Sequence, residues 1–239
     1  TIGYGEYYVI LNSSEPITIT YLNYTFLTKT KSIQSLFPTN QQHTAYSGLL
    51  RISNNDPAYA NLNEEIATFE IFAIDESGNS GKFFSLKDFA DSKILVVVFM
   101  CNHCPYVQAV WSRLVDLQAR FKDAGVQFVG INPNKNPDYP EETLEHMTEY
   151  FKRYQMNFPY LIDESQEVAR EYKAQCTPDI YVYNNERKLA YHGRIDNNWK
   201  ESDKVTKQEL AEALEALTIG QIPSENQNPS IGCSIKWRE

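Results

Sequence analysis

The 239-residue sequence predicts an α/β protein: a central mixed, mainly parallel β-sheet flanked by helices, with an extra β-hairpin at its N-terminal side. Three observations carry this expectation. Residues 94–100, Ile-Leu-Val-Val-Val-Phe-Met, are all apolar, rich in β-branched types and too short for a buried helix, which marks a strand covered on both faces. Behind it Val107, Val110, Leu114, Leu117 and Phe121 recur at three- and four-residue spacings, the stripe of an amphipathic helix. Short apolar runs then alternate with helical patterns to about residue 217, and a hairpin signal precedes the last helix.

Residues 1–62 form a separate compositional segment. Glu6, Glu15 and Asp56 balance Lys29, Lys31 and Arg51, so the whole net charge of −9 falls on residues 63–239. This N-terminal extension is expected to be loosely packed or partly extended, with strand-like alternation at 17–22 and loop composition at 37–42 and 53–57. Asn12-Ser-Ser14 and Asn23-Tyr-Thr25 match the glycosylation acceptor triplet, which so Asn-, Ser- and Thr-rich a segment also produces by chance.

Residues 63–219 read as one domain. Residues 67–74 and 82–86 make two short strands around a Gly/Asn turn at 76–81, followed by a one-turn element at 86–89. The strand at 94–100 and its helix come next, then a second buried strand at 127–132. The loop 133–140 leads to a helix with Pro140 near its first turn and with Leu144, Met147, Phe151 and Tyr154 turned inward. A short strand at 159–162 precedes a helix capped by Asp163 and carrying Gln166, Val168, Ala169 and Tyr172. Residues 179–183 and 188–193 flank the turn 184–187 as a hairpin, and 204–217 close the domain as a helix bearing Leu210, Leu214 and Leu217. The tail, 220–239, is rich in Pro, Asn and Ser. Its apolar residues within Ile231-Gly-Cys-Ser-Ile-Lys-Trp237 imply docking on the domain.

Charge narrows the function classes. With 22 basic against 31 acidic residues, the chain offers no attraction to nucleic acid or to an anionic membrane. No apolar run reaches the roughly 18 to 20 residues of a membrane-spanning helix. The composition suits a cytoplasmic protein. No charged stretch precedes an apolar core near residue 1, so no signal peptide is expected in the residues present, although one already removed would leave the same sequence.

The chemistry concentrates where the central strand hands over to its helix, at Cys101-Asn-His-Cys104. Two cysteines at this spacing on a first helical turn bring their sulfurs close enough for a small disulfide, with Cys101 as the accessible nucleophile and Cys104 as the resolving thiol. The thiolate is the reactive species, and a helix N-terminus lowers a thiol pKa from its usual value of about 8.5. His103 adds positive influence whenever protonated, and pushes the couple in the oxidising direction. Cys176-Thr177-Pro178, at the far end of the domain before a strand, is where a cis-proline would stand opposite the cysteines. The backbone of Thr177 would then accept an extended substrate peptide as an added strand. A structural zinc site needs a second ligand pair, and Cys176, Cys233 and the four histidines His43, His103, His146 and His192 supply none at short spacing, so no metal or other cofactor is expected.

With these blocks in this order, the chain from about residue 63 resembles the thioredoxin superfamily, and within it the alkyl hydroperoxide reductase/thiol-specific antioxidant (AhpC/TSA, redoxin) branch. The resemblance rests on Phe99-Met-Cys-Asn-His-Cys-Pro-Tyr-Val107, Ile131-Asn-Pro133, Cys176-Thr-Pro-Asp179, Gly193-Arg-Ile-Asp196 and Pro229-Ser-Ile-Gly-Cys-Ser-Ile-Lys-Trp237. It implies a thioredoxin-like fold with two added N-terminal strands, a cis-Pro178 and thiol-disulfide chemistry at Cys101 and Cys104. Departures matter. Peroxiredoxins place Pro and Thr where this chain has Ile94 and Val98, and thioredoxin has a buried acid in the strand before its CxxC and a Trp where Met100 stands. A proton acceptor for Cys104 is therefore sought elsewhere, with Asp196 and Asp179 as guesses. Cys176 and Cys233 are a candidate second redox pair, or two buried thiols.

The expected function is a thiol-disulfide oxidoreductase acting on protein or small-molecule disulfides, with an upstream thiol reductant or oxidant as further partner. A peroxide-reducing antioxidant using the same cysteines is the alternative. A copper-binding module holding the ion with Cys101, Cys104 and His192 ranks last.

Overall fold

The structure, a computed structural model, describes residues 65–238 apart from 68, 76 and 77, together with the backbone of five short strands before them. Those strands are β1 (Ile2–Gly3), β2 (Glu6–Asn12), β3 (Ile17–Tyr21), β4 (Tyr24–Thr28) and β5 (Ala45–Leu50). They pair antiparallel as a sheet β1-β2-β5 and a hairpin β3-β4 within a unit spanning Thr1–Tyr59. The alternation at 17–22 corresponds to β3. The loops expected at 37–42 and 53–57, and residues 13, 14 and 23 of the acceptor triplets, lie outside the described residues.

The second unit, Ala60–Glu239, carries the large sheet. Its elements are β6 (Glu70–Ile74), β7 (Ser80–Ser85), β8 (Ile94–Phe99), α1 (Pro105–Phe121), β9 (Val126–Asn132), α2 (Leu144–Arg153), β10 (Tyr160–Ile162), α3 (Glu167–Glu171), β11 (Cys176–Thr177), β12 (Asp179–Tyr183), β13 (Leu189–Gly193), α4 (Glu209–Thr218) and β14 (Cys233–Ser234). Seven strands run in the order β13-β12-β8-β9-β10-β6-β7. The sheet is mixed but not mainly parallel. Only the β8-β9 and β9-β10 pairings are parallel, and antiparallel hairpins form both edges: β6-β7 on one side, β12-β13 on the other. A hairpin can pair its strands in no other sense.

All six residues of β8 are buried, as an apolar run without alternation requires. Ile94, Val96 and Val98 enter one core with Val107, Val110, Trp111 and Leu114 of α1, Met147 and Phe151 of α2 and Leu210 and Leu214 of α4. Leu95, Val97 and Phe99 enter the other, with Phe89, Val168, Ala169, Tyr172 and Ile235. Each such side chain contributes roughly 1.5–3 kcal/mol of gross transfer free energy, which anchors β8 between the two cores. Pro105 opens α1 at its first turn, where its fixed φ and missing N–H suit the helix. Below the sheet's far end, Gly125 takes φ +85° to turn the chain into β9.

Three element starts differ from the sequence reading. Helix α2 begins at Leu144, capped by Thr143, whose hydroxyl accepts from the His146 N–H, so Pro140 lies in the preceding turns and not in the helix. Asp163 does not cap α3. Its Oδ2 accepts from the Ala169 N–H at 2.9 Å while Gln166 takes the cap position with φ +64°. Helix α4 begins at Glu209 rather than 204, because the Asn197 side chain accepts from the Thr206 and Lys207 amides and holds that stretch extended. Among the described residues, no helix is long and apolar enough to cross a membrane.

Candidate active site

Beyond Phe99 the chain keeps to β9 for one more residue, through Met100 N–H to Ile131 O at 2.9 Å, and then bends. The CxxC segment is this bend and not a helical turn: Cys104 is the N-cap and Cys101 lies three residues earlier. This corrects the placement expected from spacing. Pro105 fixes the helix start, and the amides of Asn102 and His103 turn away from the helix to a carboxylate on the opposite side.

That carboxylate is Glu142. Its Oε2 accepts from the Asn102 N–H at 3.0 Å and from Asn132 Nδ2 at 2.6 Å, and its Oε1 accepts from the His103 N–H at 2.9 Å and pairs with His103 Nδ1 at 2.5 Å. Asn102, fully buried, completes the frame: Nδ2 donates to Glu141 O, Oδ1 accepts from the Tyr160 hydroxyl, and its backbone carbonyl accepts from Gln108 Nε2. The His103 ring stacks on Tyr139 with centroids 5.0 Å apart. Glu142 was not legible as a site residue, since Glu141-Glu142 after Pro140 reads as a helix's first turn. Asn132 lies within Ile131-Asn-Pro133, where the sequence gives it no role.

The opposite wall is the Thr177–Pro178 peptide, which is cis. Thr177 meets both sulfurs: Oγ1 lies 3.2 Å from Cys101 Sγ, and its carbonyl accepts from Cys104 Sγ at 3.1 Å. The edge expected to receive a substrate strand is taken by the protein's own tail, where β14 pairs antiparallel with β11 and sets Cys233 opposite Thr177. Both active-site sulfurs are consequently buried, so Cys101 is not the exposed thiol expected from its position.

Burial raises the Cys101 thiol well above its usual value, with Cys104 sharing its proton and the Glu142 charge adding to the effect. Cys104 moves the other way, to about 5, chiefly because Cys101 donates to it, with the Val107 amide and Cys233 also donating. The helix-terminal lowering expected for Cys101 therefore falls on Cys104, the residue the helix amides reach. His103 is raised, first by its hydrogen bond to Glu142. Burial would raise Glu142, but the donors from His103, Asn102 and Asn132 outweigh it and hold the carboxyl below its usual value.

Other expected site residues are placed elsewhere. Asp179 and Asp196 are not acceptors for Cys104: Asp179 receives His192 Nε2 at 2.8 Å and the Tyr181 hydroxyl, and Asp196 pairs with Arg113. His192 pairs across from Tyr181 and stacks on it in the second core, whereas Cys101 and Cys104 line the first, so a Cys101, Cys104 and His192 copper set is not assembled. Cys176 and Cys233 cannot pair. In the β11-β14 register Cys176 opposes Ser234 and Cys233 opposes Thr177, and successive residues of a strand point to opposite faces. Cys101, His103 and Glu142 bring three ligand-type atoms within 4.8 Å of one another. His103 Nδ1 and Glu142 Oε1 in this cluster are already paired with each other at 2.5 Å.

The AhpC/TSA family pattern matches residues 63–192. No curated protein matches the chain. Among solved structures, a hypothetical protein from Sinorhizobium meliloti is 38% identical with a TM-score of 0.69, over 75% of this chain and 96% of that one. An uncharacterized conserved protein from Geobacillus kaustophilus is 37% identical with a TM-score of 0.68, over 74% of this chain and 92% of that one. The family match spans the CxxC bend, Glu142 and the Thr177–Pro178 wall, and on a thioredoxin-like α/β fold this chain belongs to the AhpC/TSA family.

Proposed function

We propose that the protein is a thiol-disulfide oxidoreductase, in which Cys101 attacks a protein or small-molecule disulfide and Cys104 resolves the mixed disulfide. The observation that carries this reading is the contact of both sulfurs with Thr177, one at its hydroxyl and one at its carbonyl, beside the cis-proline. The reduced pair shares one readily lost proton. Protonated, Cys104 donates to the Thr177 carbonyl; once ionised it accepts from Cys101 instead, so the Cys104 thiolate is the base that takes the Cys101 proton as a substrate disulfide approaches. The Cys101 thiolate, stabilised by the Thr177 hydroxyl, bonds to one substrate sulfur and releases the other as thiolate. Cys104 then loses its proton to the departing thiolate and attacks Cys101, so the Cys101–Cys104 bond forms and the substrate leaves as one thiol and one thiolate, the latter taking its proton from solvent. Run backwards, the same steps oxidise a dithiol.

His103 and Glu142 position the bend. Their ion pair fixes the Asn102 and His103 amides, and with them the path between the two cysteines. The test is reduction of insulin disulfides with dithiothreitol as electron source: turnover is expected with the wild-type protein, and a Cys101→Ser protein working at the wild-type rate would overturn the reading.

A further inference from the structure

The tail is held on both sides of Cys233. Before it, Gln227 accepts from the His192 N–H and Ser230 bonds to Gly193 O and the Ile180 N–H. After it, Lys236 N–H donates to Asn134 and Arg238 N–H to Gln166. At Gly232 the approach is so close that a Cβ would sit 2.1 Å from the Thr177 carbonyl oxygen. Cys233 is therefore fixed opposite Thr177, whose hydroxyl and carbonyl meet the two CxxC sulfurs, and it packs against the same core as Cys101 and Cys104. Three cysteines thus converge on Thr177: Cys101, Cys104 and Cys233.

We propose that Cys233 is a third redox thiol, which the tail strand seats on the Thr177 edge to exchange with the Cys101–Cys104 disulfide, giving a Cys104–Cys233 disulfide and a free Cys101. The step is a disulfide exchange with no net oxidation. The Cys233 thiolate bonds to the Cys104 sulfur, the Cys101–Cys104 bond breaks, and the electron pair leaves on Cys101, which takes up the proton that Cys233 gave. Cys233 is pushed up to about 12 first by burial and next by its hydrogen-bonding interaction with Cys104, whose negative charge adds to it. Once Cys104 is in a disulfide that charge is gone, so the attack becomes easier in the oxidised protein, where it is needed. The product bond ties the tail across the edge a substrate strand would use.

This inference rests on the oxidoreductase reading, and one experiment separates the two. Full-length wild-type, Cys101→Ser and Cys233→Ser proteins are oxidised with hydroxyethyl disulfide, quenched with acid, alkylated and mapped by peptide mass spectrometry. The wild type is expected to give Cys101–Cys104 and Cys104–Cys233 linked peptides, and Cys101→Ser to give Cys104–Cys233 alone. Iodoacetamide labelling of Cys101 in the oxidised protein is expected to fall roughly tenfold in Cys233→Ser, where no exchange can free it. Cys101→Ala repeats the mapping if serine disturbs the packing. Should the wild type form Cys101–Cys104 while either Cys101 variant leaves Cys104 and Cys233 unlinked, or should Cys233→Ser leave labelling unchanged, the third-thiol proposal is overturned alone. A wild type that never forms Cys101–Cys104 overturns the oxidoreductase reading and this proposal with it.

Discussion

Replacing Glu142 by Gln tests whether the bend is held as described. The side chain is 1% exposed and its two oxygens accept from four donors. Glutamine keeps the shape but turns one oxygen into an NH2 group facing two of those donors. Two hydrogen bonds to a charged acceptor, each worth about 1.5–3 kcal/mol, are lost, while the burial penalty of the carboxylate is relieved, leaving about 3 kcal/mol of destabilisation. The pH dependence follows from the pair. His103 is raised above its usual 6.5, so its contribution is full below 6.5 and is lost as pH rises through the folded value. Glu142 is lowered below 4.5, so its contribution is present above 4.5 and is lost as pH falls through the folded value. The stability difference between wild type and Glu142→Gln should therefore be largest between about pH 4.5 and 6.5 and narrow on both sides. Urea unfolding of the reduced proteins, followed by tryptophan fluorescence across pH, measures it. A difference that is flat with pH, or under about 1 kcal/mol throughout, would refute the ion-pair account.

Three further outcomes follow from the same geometry. The reduced protein should show one thiolate step in absorbance at 240 nm near pH 5, absent in Cys104→Ser and moved upward in Cys101→Ser, which lacks the principal donor to Cys104. Gly232→Ala should lift the tail from the Thr177 carbonyl, destabilising the protein by about 1–3 kcal/mol and speeding alkylation of Cys104; unchanged alkylation would show that the tail does not cover the sulfurs. Thr177→Val removes the hydroxyl facing Cys101 and should slow reaction with a disulfide about tenfold, the equivalent of one hydrogen bond to a thiolate, in stopped-flow measurements.

The fold was legible where one physical demand dominates. The apolar run of β8, the stripe of α1 and the hairpin at β12-β13 each have one stable arrangement, and they stand where pattern places them. Boundaries drifted where a side chain overrode local propensity: Thr143 starts α2 late, and Asn197 delays α4. The sulfurs and the cis Thr177–Pro178 peptide opposite them follow from motifs. Glu142 does not, because a carboxylate 38 to 41 residues from the cysteines is drawn in by unsatisfied amides that exist only once the bend has formed. Cys233 stands out in the sequence as a candidate partner of Cys176 or a buried thiol, and its place opposite Thr177 is not foreseen. Period-two alternation in a two-residue strand decides its face, and that needs the register.

The proposed mechanism requires Cys101 and Cys104 to form one reversible redox couple. Equilibrating the protein across glutathione redox buffers, then alkylating and mapping the peptides, tests it most directly. The account predicts a single two-electron transition in which the Cys101–Cys104 linked peptide appears and the dithiol disappears together, with no such peptide in Cys104→Ser. Cys101 and Cys104 labelled as free thiols at every buffer ratio would contradict it.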